Sequence, residues 1–196
     1  SATKLCEATP MSYDLAAEHN WMPDFEALEQ LDLSKVKIMW TNYPHMPTGA
    51  SGSIQVFERL IAFAKKHHIL LVNDNPYSCV GYENKISIHQ ATGAKEVALE
   101  LNSISKTYNM AGWRLGMLAG KAEVIKEVLK VKTNMDSGMF YGVQKGAIAA
   151  LETDNSWLEN QNNIYKTRRL LTMELAMSLN LQPLVQSGGL FVWCKL

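Results

Sequence analysis

This sequence has little cysteine, no excess of charge of either sign and no long apolar run. Its three cysteines are widely spaced, which argues against a disulfide framework and favours reduced thiols, each expected to be a small buried side chain: Cys6, Cys79 and Cys194. Lysine plus arginine equals aspartate plus glutamate at 19 each, so no basic field attracts nucleic acid or an anionic membrane. No apolar run reaches the about 18 residues of a membrane span. We therefore expect a cytoplasmic protein whose partners are small molecules or other proteins, with no nucleic acid and no membrane.

The length of 196 residues suffices for one domain, or for one domain and part of another. The sequence begins with Ser1 and has no initiator methionine. We therefore expect an internal part of a longer protein.

Strand patterns alternate with helix patterns along the chain. Short apolar runs predict strands at 36–41, 69–74, 97–102 and 114–120. Apolar residues at helical spacing predict a helix that Ser51 or Ser53 caps and that ends near His68. Further helices are predicted at 121–132, 138–152 and 156–179, and a last strand begins in 190–196. This alternation indicates an α/β fold with a mostly parallel sheet.

Three polar clusters each follow the end of a predicted strand. They are "NYPHMPTG" (42–49), "NDNPY" (73–77) and "SISK" (103–106). Ligands of open α/β sheets bind in the crevice beyond the carboxyl ends of the strands, so we expect the three clusters to share one site.

The third cluster contains Lys106, whose amine could condense with a carbonyl group to form a Schiff base. Pyridoxal phosphate is the usual biological partner of such a lysine. Asp74, at the end of a buried strand, is a candidate partner for the protonated pyridine nitrogen, because a buried charge must be paired. Tyr77 could reach the phenolic oxygen of the cofactor.

The phosphate of this cofactor requires hydroxyl or guanidinium donors. Ser103, Ser105 and Arg114 supply such groups close to the lysine in sequence. Aspartate-containing loops and serine turns also occur as plain structural elements. The residues alone therefore leave both interpretations open.

The segments "NYPHMPTGA", "NDNPY" and "SISKTYNMAGWRLG", in this order, resemble the class I/II aminotransferases of fold type I, the aspartate aminotransferase family. The resemblance extends over nearly the whole chain. It implies a three-layer α/β/α large domain with a mostly parallel sheet at 1–155, without its N-terminal part. A connecting helix and the beginning of a smaller α+β domain would follow at 156–196.

The same resemblance implies roles for individual residues. Lys106 would carry the Schiff base and later move the proton, Asp74 would pair with the pyridinium, and Tyr77 would donate to the phenolic oxygen. The phosphate would bind to three further residues of the motif: Ser103, Ser105 and Arg114.

Met46 departs from the family pattern, which usually has asparagine before proline, threonine and glycine. That asparagine donates a hydrogen bond to the phenolic oxygen, and a thioether cannot donate. We predict weaker cofactor binding and a shifted pKa of the Schiff base, with Tyr77 as the remaining donor. A subgroup that tolerates methionine at this position is the alternative.

The resemblance implies an aminotransferase that moves the amino group of an amino acid to a 2-oxo acid, as a homodimer. A carbon–sulfur lyase on the same scaffold is one alternative, because fold and cofactor do not determine the reaction. A non-catalytic domain fragment is the other, since family members also carry a glycine-containing phosphate loop and a stacking aromatic residue before this region. A substrate-binding arginine follows it in the family, and we expect all three features to lie outside this chain.

Overall fold

A four-stranded sheet forms the centre of the chain in the computed structural model, which describes residues 2–184 and 188–195. Its strands are β1 (Ile38–Thr41), β2 (Leu70–Asp74), β3 (Ala98–Ser103) and β4 (Gly116–Gly120), and they lie in the order β1-β2-β3-β4. The β1–β2 and β2–β3 pairs are parallel, and β4 is antiparallel to β3. The predicted α/β fold with a mostly parallel sheet is confirmed.

Eight α-helices accompany the strands in the described ranges. They are α1 (Ala2–Leu5), α2 (Phe25–Glu29), α3 (Ile54–Lys66), α4 (Ala94–Val97), α5 (Ile104–Thr107), α6 (Ala122–Met135), α7 (Tyr141–Leu151) and α8 (Asn155–Ser178). Short 3₁₀ helices lie at Ala17–His19, Ile88–Gln90 and Ala111–Trp113. The predicted helices and the four predicted sheet strands are each confirmed, with ends that differ by a few residues.

Helix α3 builds the core of the molecule. Ser53 caps it, since the Ser53 hydroxyl accepts a hydrogen bond from the Val56 amide at 3.2 Å. Its apolar side packs against one face of the sheet, where Met39, Leu71 and Ala98 lie side by side in register and are buried. This packing fixes the position of β1, β2 and β3, whose ends carry the predicted site.

The chain ends in a small antiparallel pair, β5 (Gln182–Pro183) with β6 (Cys194–Lys195). The strand predicted within 190–196 is therefore shorter than expected, and its last residue lies outside the described ranges. One reason is that the carbonyl of Phe191 accepts a hydrogen bond from the Arg169 guanidinium at 2.7 Å instead of from a strand partner. A domain boundary at 155/156 stays a prediction.

All three cysteines are free thiols, as expected. Their predicted burial is wrong, because Cys6 is exposed near the chain start and Cys79 and Cys194 are only half-buried. Each lies in or near a short or irregular segment, away from the apolar layer under α3. Among the described residues, no helix is long and apolar enough to cross a membrane.

Candidate cofactor site

The carboxyl ends of the three parallel strands are joined by asparagine side chains. Asn42, which follows β1, donates through Nδ2 to the carbonyl of Asp74 at 2.7 Å. Asn102, in β3, donates through Nδ2 to the carbonyl of Asn75 at 3.0 Å. Strands that diverge at a sheet edge leave backbone groups without ladder partners, and these amides satisfy them. The three polar clusters predicted from the sequence therefore meet at one edge of the sheet.

The loop that contains Met46 joins this edge through its backbone. The Met46 amide donates to Oδ1 of Asn42 at 2.8 Å, so Asn42 connects the loop to Asp74. Met46 is 45% exposed, and its thioether offers no hydrogen-bond donor.

Asp74 differs from the sequence-based expectation, because the end of β2 is open and the side chain is exposed. Buried neighbours on β2 belong to the strand interior, whereas Asp74 lies at its last position. Partial desolvation still raises the pKa of the Asp74 carboxyl above its ordinary value. Within 2–184 and 188–195, no hydrogen bond or ion pair reaches its carboxylate oxygens. Among these residues, the group is a negative charge without a protein cation.

Tyr77 lies three residues after Asp74 and is half-buried. Its ring packs edge-on against Phe191, with 5.5 Å between the ring centroids. Desolvation raises the pKa of the Tyr77 hydroxyl, and the negative charge of Asp74 raises it further. Tyr77 therefore stays protonated at neutral pH and can act as a hydrogen-bond donor near Asp74.

Lys106 lies on α5, the short helix directly after β3, and is half-buried. Ser103 begins this helix as its N-cap, and its hydroxyl oxygen accepts from the Ser105 amide at 3.1 Å. A hydroxyl that accepts one hydrogen bond keeps its own O–H for donation. The cap therefore places Lys106 one turn beyond the strand end and leaves both serine hydroxyls able to bind an anion.

Arg114 lies outside this group. It has a left-handed backbone with φ of 52°, is exposed, and donates through Nη1 to the carbonyl of Ala111 at 2.8 Å. In the part of the chain that the structure describes, no hydrogen bond joins Arg114 to Ser103, Ser105 or Lys106. Since a guanidinium has five N–H donors, most of the donors of Arg114 remain unused by the Ala111 contact.

A cleft of about 250 Å³ opens beside Asp74. The Tyr13 hydroxyl closes one side by donating to the carbonyl of Trp40 at 2.7 Å, and burial raises the pKa of Tyr13 to about 12. His45 contacts the Thr48 hydroxyl at 2.7 Å through Nδ1, and desolvation lowers the pKa of its ring. The cleft is therefore lined by neutral groups and one carboxylate at pH 7: Tyr13, Leu15, Trp40, Thr41, Asn42, His45 and Asp74.

Five residues at and just beyond the ends of β2 and β3 fit pyridoxal phosphate group by group. The uncompensated carboxylate of Asp74 suits a protonated ring nitrogen, and the protonated Tyr77 hydroxyl suits a phenolate oxygen. The amine of Lys106 suits an aldehyde carbon, and hydroxyl donors of Ser103 and Ser105 suit a phosphate.

The asparagines that assemble this edge were not identified from the sequence. Asn42, Asn73 and Asn102 each lie at or just beyond the end of one of the three parallel strands. The recurrence of asparagine at the ends of successive strands was therefore the sequence signal that could have identified these residues. Asparagine is common in turns for local reasons, so the recurrence alone does not reveal which backbone groups the side chains satisfy.

The fold is that of an α/β protein, and the edge beyond its parallel strands is a candidate small-molecule site. The family model described as "Aminotransferase class I and II" matches residues 1–196. The chain belongs to this family, whose members depend on pyridoxal phosphate.

Individual relatives agree with this assignment. LL-diaminopimelate aminotransferase 2 of Trichormus variabilis is 38% identical over 195 residues, which cover 98% of this chain and 50% of that protein. Apo-BacF from Bacillus subtilis has a TM-score of 0.94 and 35% identity, over 99% of this chain and 50% of the other. A probable N-succinyldiaminopimelate aminotransferase from Thermus thermophilus has a TM-score of 0.91 and 30% identity, over 100% and 52%. The chain thus spans about half the length of the relatives it matches.

Proposed function

We propose that the protein is a pyridoxal-phosphate-dependent aminotransferase that transfers the amino group of an amino acid to a 2-oxo acid. One observation carries the proposal. The carboxylate of Asp74 has no protein cation among the described residues, and hydrogen bonds tie its backbone to the loop of Met46. A cationic ring nitrogen of the cofactor would compensate this charge.

Pyridoxal phosphate, when bound, supplies an electron sink that stabilises a carbanion at the substrate α-carbon. In our proposal Lys106 holds the cofactor covalently through Nζ, Asp74 keeps its ring nitrogen protonated, and Tyr77 donates to its phenolic oxygen. Ser103, Ser105 and Arg114 bind its phosphate. For Arg114, this role requires the guanidinium to turn its unused donors toward the serine hydroxyls.

Lys106 also has a second role in this proposal. When it does not hold the cofactor, Nζ of Lys106 would be a free amine that could take the proton from the substrate α-carbon and donate it again. A lysine that serves as both anchor and base explains why the reaction needs no histidine as its base.

The substrate of the proposed reaction is a diaminopimelate-type amino acid. Support comes from two relatives, one named LL-diaminopimelate aminotransferase and the other a probable N-succinyldiaminopimelate aminotransferase. An assay with LL-diaminopimelate and 2-oxoglutarate should yield glutamate. Lys106→Ala should abolish this activity, and Lys121→Ala, which removes a lysine outside the proposed site, should retain it.

The same assay separates the proposal from its alternatives. A carbon–sulfur lyase would release a thiol from a sulfur-containing amino acid without consuming a 2-oxo acid. A non-catalytic fragment would produce neither product. Either result, obtained with protein that carries the cofactor, would contradict aminotransferase activity.

We further infer a homodimer in the cytoplasm. Apolar side chains on and between α6 and α7 support the dimer, because they are largely exposed: Val131, Met135, Phe140 and Tyr141. Three free thiols support a reducing compartment. Sedimentation equilibrium should give twice the chain mass, and a monomer at micromolar concentration would contradict the dimer.

A further inference from the structure

A row of buried polar side chains crosses the sheet one residue before the cofactor edge. Thr41, Asn73 and Glu100 are register partners on β1, β2 and β3, and they are only 4%, 0% and 3% exposed. Asn73 directly precedes Asp74 on β2, so the two side chains point to opposite faces of the sheet. The row therefore lies under α3, behind the site.

Asn73 uses its full hydrogen-bonding capacity at this position. Its Oδ1 accepts from the Thr41 hydroxyl at 3.0 Å and from the Tyr43 amide at 3.1 Å. Its Nδ2 donates to the Tyr43 carbonyl at 3.1 Å and to Oε2 of Glu100 at 3.3 Å. One side chain thus holds both backbone groups of Tyr43, the second residue after β1.

Glu100 determines which way the Asn73 amide faces. Oε2 of Glu100 accepts from Nδ2 of Asn73, so the amide nitrogen points toward the carboxyl group and the amide oxygen toward the N–H of Tyr43. A flipped amide would set its oxygen against the carboxylate and its nitrogen against the Tyr43 N–H. The Ile88 amide donates to Oε2 of Glu100 at 2.9 Å and keeps the carboxylate in place.

The loop after β1 is therefore held from both faces of the sheet. Asn73 binds Tyr43 from the buried face, and Asn42 binds the Met46 amide and the Asp74 carbonyl at the strand ends. We propose that Asn73 and Glu100 form a positioning pair that holds the Met46 loop in register with Asp74. This inference rests on the proposed function.

The first test measures amide hydrogen exchange in the cofactor-free protein. Asn73→Ala should raise the exchange rates of the Tyr43 and Met46 amides at least about fivefold, because the loop loses its contacts on one face. Leu60→Ala, a substitution in the core that removes no hydrogen bond of the loop, is the control for a general loss of stability. Equal rates at Tyr43 and Met46 in the two variants would overturn the proposal.

The second test uses a double-mutant cycle with pyridoxal phosphate. Asn73→Ala should raise the Kd at least about threefold and shift the pH midpoint of the visible band of the bound cofactor, whereas Leu60→Ala should change neither. Glu100→Gln should have a smaller effect of the same kind, since glutamine can present either polar atom to Asn73. Because Glu100 acts through Asn73, the double variant should match Asn73→Ala, and additive effects would overturn the pairing.

The two tests keep this inference separate from the proposed function. Wild-type protein that forms no adduct at Lys106 would overturn the proposed function, and the exchange comparison would still decide whether the loop is held. If Asn73→Ala does not fold, Glu100→Gln takes its place in the exchange test. Rates for Tyr43 and Met46 in Glu100→Gln that equal the wild-type rates would then overturn the positioning pair.

Discussion

The two faces of the sheet differ in how completely they are covered. On the face under α3, Met39 and Leu71 are buried in one cluster with Phe57, and hydrogen bonds join the members of the polar row on the same face. On the opposite face, Trp40 is 55% exposed and Asp74 has no hydrogen bond to its carboxylate among the residues described. Adjacent residues of one strand, such as Met39 and Trp40, thus lie in a buried and in an exposed environment. The covered face stabilises the strands, and the open face keeps unsatisfied groups available for a ligand.

The covered face holds the charged Asp74 in a fixed geometry, although its carboxylate has no hydrogen bond or ion pair among the described residues. Asp74 keeps a raised pKa, so its solvation is worse than in water. The packing and hydrogen bonds on the other face offset this cost. Substitutions on the two faces should therefore have different consequences.

Phe57→Ala should produce the largest change. Phe57 is 0% exposed, and truncation should lower the free energy of unfolding by about 3–5 kcal/mol through lost burial and a cavity. Trp40→Ala, on the open face, should cost less than about 1 kcal/mol despite the larger side chain. Urea denaturation of both variants checks the comparison, and equal losses would show that the two faces do not differ.

Glu100→Ala should produce the next largest change. It leaves Nδ2 of Asn73 and the Ile88 amide without this acceptor in a buried place, at a cost of about 1–3 kcal/mol for each unsatisfied group. Glu100→Gln keeps an acceptor and should cost less. Thermal denaturation measures both, and a Glu100→Ala protein as stable as wild type would show that the buried row does not contribute to stability.

Met46→Asn should strengthen cofactor binding at the open edge. The new side-chain donor should contribute about 0.5–1.5 kcal/mol, which corresponds to a Kd about two- to thirteenfold lower. The pH midpoint of the visible band should shift with it. Met46→Leu, which adds no donor, is the control, and identical titrations of Met46→Asn and wild type would defeat the prediction.

Asp74→Asn should change stability least, and it should raise stability, whereas the substitutions on the covered face lower it. Because the folded-state pKa of Asp74 is raised, the ionised carboxylate destabilises the cofactor-free protein at neutral pH, and this penalty disappears as the pH falls toward the ordinary value near 3.8. The variant should gain no more than about 0.5 kcal/mol at pH 7, since solvent screens an exposed charge.

Denaturation of wild type and Asp74→Asn across this pH range measures that gain. The two stability curves should converge at the acidic end. The same variant should bind pyridoxal phosphate more weakly, because the amide cannot compensate a ring cation. Loss of stability at pH 7 together with unchanged binding would contradict the assignment of Asp74 to the open, ligand-binding face.

The architecture was largely predictable from the sequence, because apolar periodicity and strand composition report the sheet directly. The runs at 36–41 and 69–74 became β1 and β2, and Ser53 proved to be the cap of α3. The length of the last strand was overestimated. Its pattern did not reveal that the Arg169 guanidinium donates a hydrogen bond to the carbonyl of Phe191.

The grouping of the polar clusters at one edge of the sheet was predictable from the sequence, and the geometry within that edge was less so. Clusters at strand ends indicated that Asp74 and the segment of Lys106 share one edge, because parallel strands end together. Neither the exposure of Asp74 nor the buried pair of Asn73 and Glu100 followed from the pattern. Both depend on contacts between residues about 30 positions apart, which a local sequence signal does not report.

The most direct test of the central claim is borohydride reduction of the protein with pyridoxal phosphate, followed by mass mapping of the modified lysines. We expect one pyridoxyl adduct, on Lys106, that is absent from Lys106→Ala and present in Lys121→Ala. Labelling spread over several surface lysines, or no labelling at all, would contradict the claim that the open strand-end edge is a cofactor site.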